Sequence, residues 1–363
     1  MSRPNALRLP TLDGWRTVAV TAVICNHALY SGPRQLDRLE IGTLGVDLFF
    51  AISGLLITYR MLQEHEHTGN ISLRSFYIRR AFRILPAALL FLLVITILSA
   101  VGITPVRPME IVSSAFFFRN YHVDVVPITW YTNHYWSLAV EEHFYLLWPA
   151  LLVWLGITRA RSSTPWIALA IAAWRTLDSH FHFVSSPKLV YLLSRTDYRL
   201  DGLLWGCVAA LLLQQPEWRE RLRCIPSLWP LIALPATAWL YVYRPPQCMV
   251  FMAVLFPTVL VATLLHPASP VSRVLECAPL RFIGKISYGI YLWQQFFFIG
   301  SQPNRLGPFQ RFPLNLISLI AVAWLSYQFF EERLRSYGSR LAKKPRLEVQ
   351  TSAPVFITSE VTP

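Results

Sequence analysis

The stretch Leu12-Asp13-Gly14-Trp15-Arg16-Thr17-Val18-Ala19-Val20-Thr21-Ala22-Val23-Ile24-Cys25-Asn26-His27 decides how the rest of the chain is read. It is mostly apolar, as a helix entering a membrane is, yet Asp13 and Arg16 stand at one end and Asn26 and His27 lie deeper. Arg16 and His27 are eleven residues apart. At about 100° per residue they fall within about 20° of each other on one helix face. At about 1.5 Å rise per residue they lie about 16 Å apart along the axis, roughly half of a 30 Å hydrocarbon core. One helix therefore presents a guanidinium near the water interface and an imidazole near mid-membrane, facing the same way. Ionisable groups at that depth are costly and mark function.

The surrounding composition agrees with a membrane setting. Of 363 residues, 54% are hydrophobic and only 15% charged, where a soluble domain is about a quarter charged. Long apolar runs recur along the chain and read as about ten spans: 12–31, 42–60, 84–103, 136–157, 165–178, 199–213, 227–243, 250–266, 284–300 and 313–330. The expected fold is an all-α, polytopic transmembrane helix bundle. The net charge of +13 sits mainly between the apolar runs, which reads as positive-inside bias rather than a nucleic-acid surface. With the N-terminus inside, Lys and Arg favour the inner segments by roughly two to one, which places both termini in the cytoplasm. Residues 1–334 form the expected membrane domain, and 335–363, ending in a Ser/Thr/Pro-rich stretch, read as a disordered cytoplasmic tail.

Cys25, Cys207, Cys224, Cys248 and Cys277 are scattered, so neither a disulfide framework nor a zinc site is expected. Two His-x-His pairs, His65/His67 and His180/His182, read as loop residues without complementary ligands, and no metal is assigned to them. Nor is a cleaved leader expected, because Asp13 and Arg16 interrupt the first apolar run. The chemistry is expected inside the bundle.

Five further stretches carry candidate groups. Gly45-Val46-Asp47 opens the second span, which runs back from the outer side, so Asp47 enters near the depth of His27. It either orients the imidazole, as the third member of a relay does, or caps the helix start. Arg79, Arg80 and Arg83 lie within about one helical turn on the inner side and read either as lipid anchors or as a cradle for phosphates, which guanidinium forks bind bidentately. In Trp136-Ser137-Leu138-Ala139-Val140-Glu141-Glu142-His143-Phe144-Tyr145, the side chains of Ser137, Glu141 and Tyr145 share a face at four-residue spacing. That face points into the bundle, as a pocket wall or as a polar clasp between helices. Arg199 and Asp201 start the sixth span, as an ion pair of the helix start or as a pocket floor. Gln294, at the end of an aromatic run in the ninth span, suggests an inward polar contact.

Taken together these stretches resemble acyltransferase family three, the polytopic membrane O-acyltransferases of bacterial sugars, lipids and macrolides. The resemblance covers about residues 11 to 336. It rests on Leu12-Asp13-Gly14-x-Arg16 with His27, Gly45-Val46-Asp47-x-Phe49-Phe50-x-x-Ser53-Gly54, and Phe76-Tyr77-x-Arg79-Arg80-x-x-Arg83-Ile84-x-Pro86. To these are added Trp136-Ser137-Leu138-x-Val140-Glu141-Glu142-x-Phe144-Tyr145, Arg199-x-Asp201, and Ile286-Ser287-Tyr288-x-x-Tyr291-Leu292-Trp293. Two positions depart from the pattern: Gln294 stands where the family often has His, and Glu331-Glu332-Arg333 where it often has Glu-x-Pro.

The resemblance implies a bacterial inner-membrane enzyme that uses acyl-CoA, usually acetyl-CoA, as co-substrate with no bound cofactor. It transfers the acyl group to a hydroxyl of a carbohydrate or lipid-linked acceptor, with Arg16 and His27 as the functional pair. On that basis His27 is the expected general base. Asp47, or else Glu141, would orient its ring, and Arg16, Arg79, Arg80 and Arg83 would hold donor phosphates. Ser137 or Tyr145 would steady the oxyanion, with Arg199, Asp201 and Gln294 also lining the substrate pocket. In a variant, His27 itself accepts the acyl group. The competing reading of the same buried charges is a proton-coupled transporter or flippase.

Overall fold

The computed structural model describes residues 9–29, 41–121, 130–184, 194–243, 248–299 and 304–342, and no strand occurs among them. The helices are α1 (Leu12–Leu29), α2 (Ile41–Thr68), α3 (Leu73–Ala100), α4 (Pro108–Ala115), α5 (Tyr135–Phe181) and α6 (Thr196–Leu213). They continue with α7 (Pro216–Leu222), α8 (Trp229–Tyr243), α9 (Cys248–Leu265), α10 (Pro270–Leu275), α11 (Ala278–Phe297), α12 (Leu314–Ser326) and α13 (Glu332–Leu341). Four helical segments among the described residues are long and apolar enough to cross a membrane: Ile41–Thr68, Leu73–Ala100, Trp130–Phe181 and Leu314–Leu341. Large apolar side chains such as Leu93, Ile97, Trp154 and Ile232 remain exposed on the outside, where lipid would cover them.

The centre of the bundle is built from α1, α2, α6 and α11. Close approach is what holds them, and small residues permit it, as is usual where helices meet within a bilayer. A Cβ on Gly54 of α2 would lie 1.9 Å from the Leu203 carbonyl oxygen of α6, and one on Gly284 of α11 would lie 1.9 Å from the Asp13 carbonyl of α1. Neither position can carry a side chain without separating its helix pair. Trp15, Phe50, Leu55 and Phe256 fill the core around these contacts.

Three sequence expectations change here. The break expected at 158–164 falls instead at Gly156, whose φ of 71° is a conformation that glycine adopts freely and which splits α5 into two helical parts, and residues 158–164 are helical. The His-x-His pairs are not in loops. His65 and His67 lie in the last turn of α2, His180 lies in the last turn of α5, and His182 caps that helix. Helices run on past the end of their apolar runs, so falling hydropathy does not mark where a helix ends.

The tail expected from Arg335 begins instead as α13, which packs on α3. Gly338 lets it do so, since a Cβ there would lie 2.4 Å from the Phe82 Cβ. Ser75 Oγ also donates to the Ala342 carbonyl at 2.8 Å. Residues 343–363 of that expected tail lie outside the described residues.

Candidate active site

A cavity of about 80 Å³ opens where α1, α2, α3, α5 and α11 meet. At one end it is basic. Arg16, Arg80 and Arg83 line it, and Arg16 Nη1 is held 2.9 Å from Asp13 Oδ1 one turn earlier in α1. At the other end it is lined by hydroxyls and one carboxylate. Ser53 Oγ donates to Glu141 Oε1 and Tyr145 Oη to Glu141 Oε2, both at 2.9 Å. Ser137 Oγ and Tyr291 Oη share a hydrogen bond of 2.6 Å. The three positions that four-residue spacing placed on one face of α5, Ser137, Glu141 and Tyr145, all line this space. Arg80 joins the two ends, its guanidinium carbon 3.5 Å above the Tyr145 ring centroid, a distance at which the ring quadrupole attracts the cation.

His27 stands beyond this cavity and is not among the side chains that line it. Its Nδ1 is hydrogen-bonded to Gln294 Oε1, and Trp130 packs edge-on against its ring at 5.0 Å between centroids. The Trp130 indole is itself fixed, donating to the Gln295 and Phe298 carbonyls at 2.9 and 3.0 Å. With the Gln294 oxygen as acceptor, the neutral imidazole carries its proton on Nδ1, and Nε2 holds the basic lone pair. Gln294 follows Tyr291 by three residues on α11, so it lies on the same helix face one turn further along. Arg16 and His27 both address α11: the first shares the cavity wall with Ser287, Tyr288 and Tyr291, and the second meets Gln294.

Other assignments are redrawn by the geometry. Asp47 is not the residue that orients His27. It pairs with Arg199, Nη2 to Oδ1 at 2.5 Å. Glu141 does not orient it either, its oxygens being taken by Ser53 and Tyr145. Arg199 and Asp201 are not an ion pair with each other and do not line the main cavity. Asp201 receives both terminal nitrogens of Arg175 from α5, at 2.8 Å each, and the four side chains enclose a separate space of only about 10 Å³. Arg199 lies between Phe50 and Trp136, 5.7 and 5.5 Å from their centroids. Two carboxylates and two guanidiniums thus neutralise one another where α2, α5 and α6 meet. The arrangement is a clasp around a space too small for a substrate.

The inner cavity adjoins a wider one of about 440 Å³, with which it shares Leu56, Ile57, Arg80 and Arg83. Arg79 lines the wider part, 3.3 Å from Glu64. All three arginines singled out on α3 therefore face cavities rather than lipid. Sequence reasoning missed Ser53, Tyr291 and the pair His134–Gln295, in which His134 Nδ1 meets Gln295 Oε1 at 2.5 Å. Their signal was present, since Ser53 and Tyr291 stand inside quoted motifs and His134 lies two residues before one, but helix-face arithmetic does not say which helices become neighbours.

The family model described as an acyltransferase domain matches residues 9–329. The chain belongs to that family, acyltransferase family three. Among named relatives, it is 30% identical over 364 residues to the peptidoglycan O-acetyltransferase OatA of Listeria monocytogenes, across 91% of this chain and 56% of the relative. It is 31% identical over 366 residues to the putative peptidoglycan O-acetyltransferase YrhL of Bacillus subtilis, across 92% and 56% respectively. A putative O-acetyltransferase of Staphylococcus aureus matches at 29% across 91% of this chain and 58% of its own. The chain therefore spans little more than half the length of these relatives. No solved structure matches it.

Proposed function

We propose that the protein is an integral membrane O-acyltransferase that moves an acetyl group from acetyl-CoA to a hydroxyl of an envelope carbohydrate. The observation that carries this reading is the cavity that is basic at one end and hydroxyl-lined at the other, with His27 one turn of α11 beyond it. Guanidiniums at the wide mouth suit donor phosphates. The narrow inner part suits an extended arm ending in a thioester better than it suits a sugar ring. The relatives are named for O-acetylation, two of them for peptidoglycan, and peptidoglycan is the acceptor class this reading favours. About ten spans, both termini cytoplasmic and the bacterial inner membrane complete it, so that the donor arrives at the arginine end.

In this reading, Arg16, Arg79, Arg80 and Arg83 hold the phosphates and set the depth of the acyl carbon. Nε2 of His27 takes the proton from the acceptor hydroxyl as its oxygen attacks the thioester carbonyl. Gln294, rather than a carboxylate, fixes the imidazole tautomer. The Ser137–Tyr291 pair supplies the hydroxyl donors for the developing oxyanion. Collapse expels the CoA thiolate, which takes up the proton and leaves as CoA thiol. The test is mass spectrometry of envelope glycans from cells with the protein, without it, and with a His27→Ala copy. Acetylated glycan only with the wild-type copy supports the reading, and an unchanged glycan profile in all three overturns it.

A further inference from the structure

The wider cavity is built from the ends of three helices, and its charge exceeds what the arginines of α3 supply. Arg60 from the end of α2 and Arg335 and Arg340 from α13 line it together with Arg79, Arg80 and Arg83. Glu64, already 3.3 Å from Arg79, is the one carboxylate lining it. Arg335 pairs with Glu332 at 2.6 Å, outside this lining. Among the described residues, the side chains of Arg60, Arg83 and Arg340 have no hydrogen bond or ion pair, and the charges closest in effect on Arg60 are those of Arg16, Arg80, Arg335 and Arg79. Like charges gathered around one open space repel, and a bound anion relieves that repulsion. Ser336 and Ser339 add hydroxyls to the same wall. Its volume of about 440 Å³ lies within the roughly 300–1,000 Å³ of small-molecule sites.

We infer that Arg335 and Arg340 of α13, with Arg60 of α2, form a second anion subsite that takes a phosphomonoester. This subsite is separate from the diphosphate site at Arg79, Arg80 and Arg83. The inference rests on the proposed function, whose donor carries both groups: a diphosphate and a 3′-phosphate on its ribose. It gives α13 a purpose. The helix, packed on α3 through the seating of Gly338 on Phe82, supplies one wall of the donor cavity. Anionic lipid headgroups carry the same phosphate chemistry, so the test separates the two sources.

The full chain is reconstituted in nanodiscs of phosphatidylcholine, with or without phosphatidylglycerol. It is given acetyl-CoA or 3′-dephospho-acetyl-CoA together with peptidoglycan fragments, and released thiol is measured. Wild type is expected to prefer acetyl-CoA by about ten-fold or more in kcat/KM in both bilayers. Arg335→Gln/Arg340→Gln is expected to bring the two donors to near parity, the loss lying in KM, and Arg335→Lys/Arg340→Lys to regain part of the preference. Adenosine 3′,5′-bisphosphate should bind wild type more tightly than AMP does, and the glutamine variant should lose that difference, which reads the site without turnover. Equal use of both donors by wild type overturns the inference, as does a proportional loss of both donors in the glutamine variant. A preference seen only with phosphatidylglycerol also overturns it and assigns the cluster to lipid. Wild type that releases thiol from neither donor overturns the proposed function itself, and the subsite with it.

Discussion

His27 meets an amide where a carboxylate was expected, and that changes what can be asked of it. A carboxylate partner stabilises the imidazolium, whereas the Gln294 oxygen fixes the tautomer without adding charge. Gln294→Ala should therefore lower kcat by about ten-fold with the donor KM little changed, the size of effect that orienting partners generally have. Gln294→His should retain more activity than Gln294→Ala, because a second imidazole can accept the same hydrogen bond. Steady-state kinetics of the three proteins decides between them. The positions of Arg16 and His27 on one face were legible from spacing alone, and both do address α11. The identity of the partner was not legible. Depth along a span suggested Asp47, but which side chain meets which is fixed by lateral packing, and Asp47 turns toward α6.

At the scale of helices, the clasp of Asp47, Arg199, Arg175 and Asp201 carries the clearest stability prediction. Arg199 is 3% exposed and Asp47 13%, so Arg199→Ala leaves a nearly buried carboxylate without its counter-charge. Breaking such a pair costs about 3–5 kcal/mol. Thermal unfolding in detergent should show a clear fall in Tm, and Asp47→Asn/Arg199→Gln should recover part of it. Gly54→Leu should prevent α2 from seating on α6, with loss of folded protein on size-exclusion chromatography. Helix positions were largely legible from the apolar runs. The expected span 165–178 contains Arg175 and Asp178, and both prove internally satisfied, by Asp201 and by the Tyr198 hydroxyl. Hydropathy counts such residues as exposed charge because it has no knowledge of their partners.

For the whole molecule, seven arginines gather around one pair of connected cavities. The first residues of α1 and α3, the last of α2 and the C-terminal helix α13 bring Arg16, Arg60, Arg79, Arg80, Arg83, Arg335 and Arg340 together around connected cavities. In the proposed reading, positive-inside bias and donor binding draw on the same residues, so composition alone does not separate an anchor from a phosphate cradle. With these arginines facing the cytoplasm, a green fluorescent protein fused after Ala342 should fluoresce, and alkaline phosphatase fused there should be inactive. Active phosphatase would reverse the orientation and leave the arginines facing away from any cytosolic donor.

The most direct measurement is release of CoA thiol by the purified, reconstituted protein given acetyl-CoA and peptidoglycan fragments, compared between wild type and His27→Ala. Removing a general base lowers turnover by about 10²–10⁴-fold. The expected result is acceptor-dependent thiol release by wild type and a loss of that size in the variant, which should still bind adenosine 3′,5′-bisphosphate. Turnover in His27→Ala equal to wild type, or no thiol release by wild type at all, would contradict a transferase centred on that histidine.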